Sequence, residues 1–200
     1  MKKILIIMTL VFLVTGCKNL FTYENEKIEY LKGKYNVEMK IKDYGIIEME
    51  LDADIAPITV TNFMNLVKED FYNGNTIHRV KKDFVIQGGT DFSNTHKEIK
   101  GEFDANGVSN EISHVRGTVS MARAGDQSSG FDTASTQFFI VQKDSTFLDH
   151  YYAGFGKVTK GMDVVDKICN SIKSADDSGT IMDDEEIPFI EYIKEIKIEK

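Results

Sequence analysis

The chain has 200 residues, 42% of them apolar, and a formal charge of −8. That length and apolar content suffice for one sizeable core in a single domain. The acidic balance argues against a nucleic-acid binder, which needs a basic face to displace counterions from phosphates.

Met1-Lys2-Lys3 gives a basic start, Ile4 to Val14 an apolar run broken only by Thr9, and Val14-Thr15-Gly16 a small-residue ending directly before Cys17. The run is too short to span a bilayer comfortably. Residues 1–16 resemble a bacterial lipoprotein signal peptide, which implies acylation of Cys17 as the first mature residue and an extracytoplasmic product held to the cell membrane by lipid. Removal of the leader takes away Lys2 and Lys3 and leaves a formal charge near −10. Cys169, the other cysteine, then has no intrachain partner and reads as a buried apolar side chain on a helix. Residues 17–34 are charged and polar with scattered aromatics (Phe21, Tyr23, Tyr30) and read as a tether. Fully extended it reaches roughly 55 to 60 Å, less if its aromatics dock on the domain.

The domain occupies residues 35–200. Tyr35 to Ile41 alternates apolar and polar residues, Asp43-Tyr44-Gly45 turns the chain, and Ile46 to Leu51 returns as the second strand of a hairpin. Pro57 opens a helix that buries Val60, Phe63, Met64 and Val67. Thr76 to Val80 and Phe84 to Gln87 read as strands around the charged turn Lys81-Lys82-Asp83, closed by Gly88-Gly89. Period-two alternation sets Phe84 and Ile86 opposite Val85 and Gln87. Thr90 to Asn110 reads as a long surface excursion, Thr118 to Ala122 as a strand and Ala124 to Ala134 as a loop. Gln137 to Val141 is a strand apolar on both faces. Phe155 to Val158 forms another, Met162 to Ile168 a short helix, and Phe189 to Ile198 a closing strand after an acidic loop. Many short strands and two helices predict a mainly β, closed antiparallel barrel capped by helices. Packed with Ile, Val, Phe and Met, it has no room inside for a ligand, so a site must lie on its outer face.

Three blocks carry the function: HRV-x3-F-x2-QGG from His78, SMARAG from Ser120 with STQFFI from Ser135, and LD-x2-Y-x2-FG from Leu148. In that order and spacing they resemble the cyclophilin-type peptidyl-prolyl cis-trans isomerases, over essentially everything from Tyr35 onward. The resemblance implies an eight-stranded barrel with a helix at each end, no cofactor, and proline-containing polypeptides, unfolded or exported, as partners of a monomer. It assigns catalysis to Arg79, with Gln87 and Gln137 steadying the arginine and the peptide backbone. Phe84, Val85, Phe139 and Leu148 look like walls for the proline ring, with Phe139 as floor, while Ala122 and Arg123 fall where the family binds the preceding residue through backbone groups. Arg123 stands where eukaryotic relatives commonly carry Asn, and Tyr152 replaces a frequent His. Phe147 stands where many relatives have Trp, which implies weak inhibition by cyclosporin.

The chemistry agrees with these residue types. Rotation about a peptide bond must break amide resonance, at about 18 to 20 kcal/mol. A catalyst needs no nucleophile, only tighter binding of the twisted amide than of either planar one. A guanidinium can donate to the lone pair that the prolyl nitrogen recovers. His78, His96, His114 and His150 lack any HxxxH or Cys-His spacing, so no metal site is expected, and His78 reads as a structural ring in the barrel wall. Ser120, Ser135 and the histidines match no nucleophile motif. Two other classes fit the same letters: a module that binds proline segments without turnover, and a surface protein using the fold as scaffold. Arg79 together with Phe84, Gln87, Gln137 and Phe139 favours the enzyme, because a pure binder could keep the pocket and lose the arginine.

Overall fold

The computed structural model describes residues 29–197. The leader, Cys17 and the tether as far as residue 28 lie outside the described residues. β1 (Lys34–Ile41) and β2 (Gly45–Asp52) form the first hairpin, in register from Lys34↔Asp52 to Ile41↔Gly45. Val37, Met39 and Ile41 face Ile47, Met49 and Leu51 in the core, while Lys34 bridges Glu50 and Asp52 outside. α1 (Pro57–Lys68) buries the four predicted side chains together with Thr59 and Leu66. Its N-cap, Ala56, offers no side-chain acceptor. Glu102 supplies one instead, its two oxygens accepting from Ile58 N–H at 3.0 Å and Thr59 N–H at 2.7 Å. The chain ahead of β1 also docks: Leu31 packs on the core and its N–H donates to Thr61 Oγ1 at 2.8 Å.

The remaining elements are β3 (Arg79–Lys81), β4 (Val85–Gly88), β5 (Thr118–Met121), β6 (Phe138–Val141), β7 (Gly154–Lys160), α2 (Met162–Ser171) and β8 (Ile190–Glu195). They build one antiparallel sheet in the order β3-β4-β6-β5-β7-β2-β1-β8. The closed barrel expected from the sequence is corrected here: the sheet is an open half-barrel with β3 and β8 as its edges. Short β3 gives most of its free edge to the acidic loop, with Val80 N–H donating to Gly179 O at 2.7 Å and Ile181 N–H to His78 O at 3.1 Å. Between the two edges an isolated bridge, Thr76↔Phe189, spans the gap, with Ile77 N–H donating to Pro188 O at 2.9 Å and Gly74 N–H and the Asn75 carbonyl meeting Ile190 at 2.8 Å; Pro188 has no N–H to extend it into a ladder.

The interior centres on Phe63, whose ring lies 5.0 Å from Tyr72, 5.2 Å from Phe155 and 5.5 Å from Phe138. A second apolar cluster, Val85, Phe139, Val141 and Leu148, stands apart from that core. Two local expectations change. Thr90 to Asn110 is not all surface, since Glu102, Phe103 and Asn110 are buried and Asn110 Nδ2 donates to the carbonyls of Glu102 and Gly154. Phe84 lies on the same side as Val85 and Gln87, because it precedes β4 and follows Asp83, whose φ of 60° breaks the alternation. Cys169 is buried on α2 and burial pushes its thiol up to about 12, so it is unreactive.

Candidate active site

Strand register assembles the site. Arg79 pairs with Gln87, and Gln87 with Phe139, which lines three predicted residues across β3, β4 and β6 on one face. Val85 pairs with Val141 two residues along. Gly88 and Gly89 end β4 because a Cβ there would meet Thr76 O at 2.6 Å and Thr136 O at 2.7 Å, with Gly89 at φ +87°. The result is a hollow of about 190 Å³ lined by Arg79, Phe84, Val85, Gln87, Ala122, Arg123, Phe139, Leu148 and Tyr152. That is below the roughly 300 Å³ at which drug-sized pockets begin, so it suits one small ring. A second hollow of about 220 Å³ shares Gln87, Ala122 and Arg123 and adds Ala124, Thr133, Ser135 and Gln137.

Of the eleven predicted residues, two fall outside the first hollow: Gln137 lines the second, and Phe147 forms a rim. Phe147 is 62% exposed and stacks on Phe84 at 5.6 Å. Phe139, 5% exposed, is the floor.

Arg79 is held by neutral groups. Its Nε donates to Ser178 O at 2.8 Å and its Nη1 to Gln87 Oε1 at 3.1 Å. Gln87 thereby has its amide orientation fixed, and its Nε2 donates to Gln137 Oε1 at 2.9 Å. Nη2 has no hydrogen-bond partner among the described residues. The Cζ atom lies 5.7 Å from the Phe84 ring centroid. Burial pushes the guanidinium below its usual pKa, Tyr152 and Asp176 oppose this, and it stays protonated at neutral pH. With uncharged partners, its charge is directed rather than cancelled.

Arg123 commits its side chain to neighbouring carbonyls and rings. Its Nε donates to Tyr151 O at 3.0 Å and its Nη1 to Ser129 O at 2.6 Å, and Cζ sits 4.7 to 5.4 Å from the rings of Tyr152, Phe103 and Phe131. The side chain pins the 124–134 loop. Its own N–H and C=O have no backbone partner among the described residues, which leaves them for an extended peptide.

Sequence reading missed two contributors. Ser178 acts through its carbonyl, which no side-chain pattern reveals. His114 joins Ser120 Oγ (3.0 Å from Nε2) to Asp149 (2.8 Å from Nδ1), a Ser-His-Asp arrangement that no motif announces. Both Ser120 and His114 are wholly buried, so this set has no access to a substrate and is no hydrolytic site. His78, its Nδ1 3.0 Å from Thr90 Oγ1, is held below its usual pKa by burial and by Arg79, with Gln137 opposing. Among the described residues no group of three His, Cys, Asp or Glu side chains could hold a metal ion.

A curled antiparallel sheet with a ring-sized apolar hollow on its outer face, an uncancelled arginine at its edge and free backbone groups beside it defines a peptide-binding site. The comparisons make the assignment specific. The family model for "Cyclophilin type peptidyl-prolyl cis-trans isomerase/CLD" matches residues 36–188. A peptidyl-prolyl cis-trans isomerase of Acinetobacter baylyi is 47% identical over 139 residues, covering 67% of this chain and 71% of the relative. One from Helicobacter pylori is 38% identical over 149 residues, covering 74% and 87%. The crystal structure of a Cryptosporidium parvum cyclophilin type peptidyl-prolyl cis-trans isomerase superposes with a TM-score of 0.69 at 25% identity, covering 83% of this chain and 99% of that one. The chain belongs to the cyclophilin-type peptidyl-prolyl cis-trans isomerases. It is an isomerase of X-Pro peptide bonds.

Proposed function

We propose that Arg79 is the catalytic residue, and that the enzyme assists the folding of secreted or surface proteins from a lipid anchor at Cys17 outside the cytoplasm. The proline ring sits on Phe139 between Val85, Leu148 and Phe84, and the preceding residue lies along the backbone of Ala122 and Arg123. As the imide twists, its nitrogen recovers a lone pair, and Nη2 of Arg79 donates to it. The planar isomers offer no such acceptor, so the contact favours the transition state alone. Each 1.4 kcal/mol gained there is about tenfold in rate. No proton is transferred and no bond breaks, so neither nucleophile nor cofactor is required.

The observation that carries the reading is the guanidinium itself, fixed by Ser178 and Gln87 at the edge of a ring-sized hollow with one nitrogen left over. The export role rests on the leader, with its basic start, apolar run and Cys17. A net charge of −8 speaks against nucleic acid as partner, and a monomer suffices for a site built from one chain. One preparation tests both parts: turnover of an X-Pro tetrapeptide, and mass spectrometry of the mature N-terminus from membranes. Turnover unaffected by Arg79→Ala refutes the catalytic assignment. An unmodified Met1, or a mature end elsewhere than an acylated Cys17, refutes the anchor.

A further inference from the structure

His114 lines neither hollow, yet its ring lies against the floor of the first. It is wholly buried and each of its polar atoms is engaged. Its N–H donates to Asp149 Oδ1 at 2.7 Å, and its C=O accepts from Ser145 N–H at 2.8 Å. A carboxylate only accepts, so Nδ1 carries the proton toward Asp149 and Nε2 accepts from the Ser120 hydroxyl. Burial pushes the imidazole below its usual pKa and outweighs Asp149, which keeps the ring neutral at pH 7.

An apolar side chain would fill this space without burying polar groups. What the two clamped nitrogens add is a fixed ring plane. That plane stacks on Phe139 at 6.0 Å and 22°, and meets Tyr152 at 6.5 Å and 76°. Phe139 in turn meets Tyr152 edge-on at 5.8 Å. Asp149 directly follows Leu148, and Ser145 directly precedes the 3-10 turn Thr146–Leu148, so the same residue ties the wall of the hollow to its floor.

We propose that His114 is a positioning residue for the isomerisation: its clamped ring holds Phe139, and with it the Leu148 wall, at the spacing a prolyl ring fits. This rests on the reading of the first hollow as the prolyl site. His114 acts through Phe139 on a ring bound alike in ground and transition states, so its loss weakens uniform binding and shows in KM rather than in kcat. A purely structural residue does the reverse, since fewer folded molecules lower kcat and leave KM alone.

The test measures KM and kcat of the full chain on an X-Pro tetrapeptide for wild type, His114→Asn and His114→Phe, with the folded fraction of each determined by circular dichroism. The asparagine removes the ring; the phenylalanine keeps one against Phe139. The expected result is a KM raised roughly three- to tenfold in His114→Asn, as loss of one aromatic contact implies, with kcat per folded molecule within about twofold of wild type. His114→Phe keeps a ring but loses both clamps, and its KM is expected to stay raised at least about threefold. A KM unchanged in folded His114→Asn overturns the proposal, as does a KM in folded His114→Phe within about twofold of wild type, since an unclamped ring would then suffice. Absence of acceleration by the wild type itself overturns the prolyl-site reading, and the His114 role with it.

Discussion

Replacing Arg79 with alanine isolates the donor on which the proposed mechanism depends. Two of its nitrogens are committed, at 2.8 Å to Ser178 O and 3.1 Å to Gln87 Oε1, so the side chain is fixed before substrate arrives. Removing one preorganised donor of this kind costs about 2.7 to 4 kcal/mol, or two to three decades in rate. Coulomb's law gives a similar figure: at about 4 Å and an effective dielectric near 20, full charges interact by about 4 kcal/mol, and a partial charge on the twisted nitrogen by roughly half that. The stability cost is smaller, about 1 to 2 kcal/mol for two hydrogen bonds at a half-buried site. Activity and stability therefore separate. Exchange NMR on an X-Pro tetrapeptide reads the rate without a coupling protease that could digest a loosened variant. Catalytic efficiency is expected to fall by about two to three decades while a cooperative thermal melt is retained. Arg79→Lys is expected to stay at least about tenfold down, because one ammonium cannot hold both anchors and still project a donor. Folded Arg79→Ala turning over within about threefold of wild type would refute the donor role.

Three further outcomes follow from other parts of the molecule. Glu102→Ala leaves two backbone donors of α1 without an acceptor in a site only 2% exposed, and is expected to cost about 2 to 4 kcal/mol in urea denaturation with KM unchanged; a loss under about 0.5 kcal/mol would contradict the capping assignment. His78 and His114 are both held below their usual pKa by burial, so the unfolded chain takes up protons below about 6.5 while the native one resists them, and stability falls as pH drops from 7 toward 5. A thermal midpoint that is flat or rising on acidification through that window contradicts the buried neutral rings. Phe147→Trp restores an indole N–H at an exposed rim position and is expected to tighten cyclosporin about five- to tenfold by calorimetry, an equal affinity telling against the reading of that rim.

The parts of the site legible in the sequence are those that strand periodicity controls. Gln87 lies two residues from Val85, and Phe139 two from Gln137, so each pair shares a face once the strands are recognised. Arg79 follows because a hairpin opposes it to Gln87. What stayed hidden depends on backbone conformation or on distant chain. Phe84 joins Val85 and Gln87 only through the left-handed turn at Asp83. Glu102 reaches α1 across more than forty residues, and Ser178 meets Arg79 across 99. Local patterning likewise finds the strands without revealing whether the two edges meet, and here a turn at Gly179 takes the edge of β3 that closure would need.

The hollow's rigidity originates on the other side of the same strands. Ile86 and Phe138 are buried in the core, Phe138 against Phe63 and Tyr72, while their neighbours Val85, Gln87 and Phe139 face the hollow. A slip of one residue in β4 would carry Gln87 into the core, and one in β6 would carry the Phe138 ring into the site. Burial of Phe138 and Ile86 is worth about 1.5 to 3 kcal/mol each, which makes such a slip costly. The same packing that stabilises the half-barrel therefore fixes the lateral position of Phe139 and Gln87, and through Gln87 the reach of Arg79. A catalyst that moves no proton and forms no bond depends on that fixity, because its whole effect is a difference in fit between planar and twisted amides.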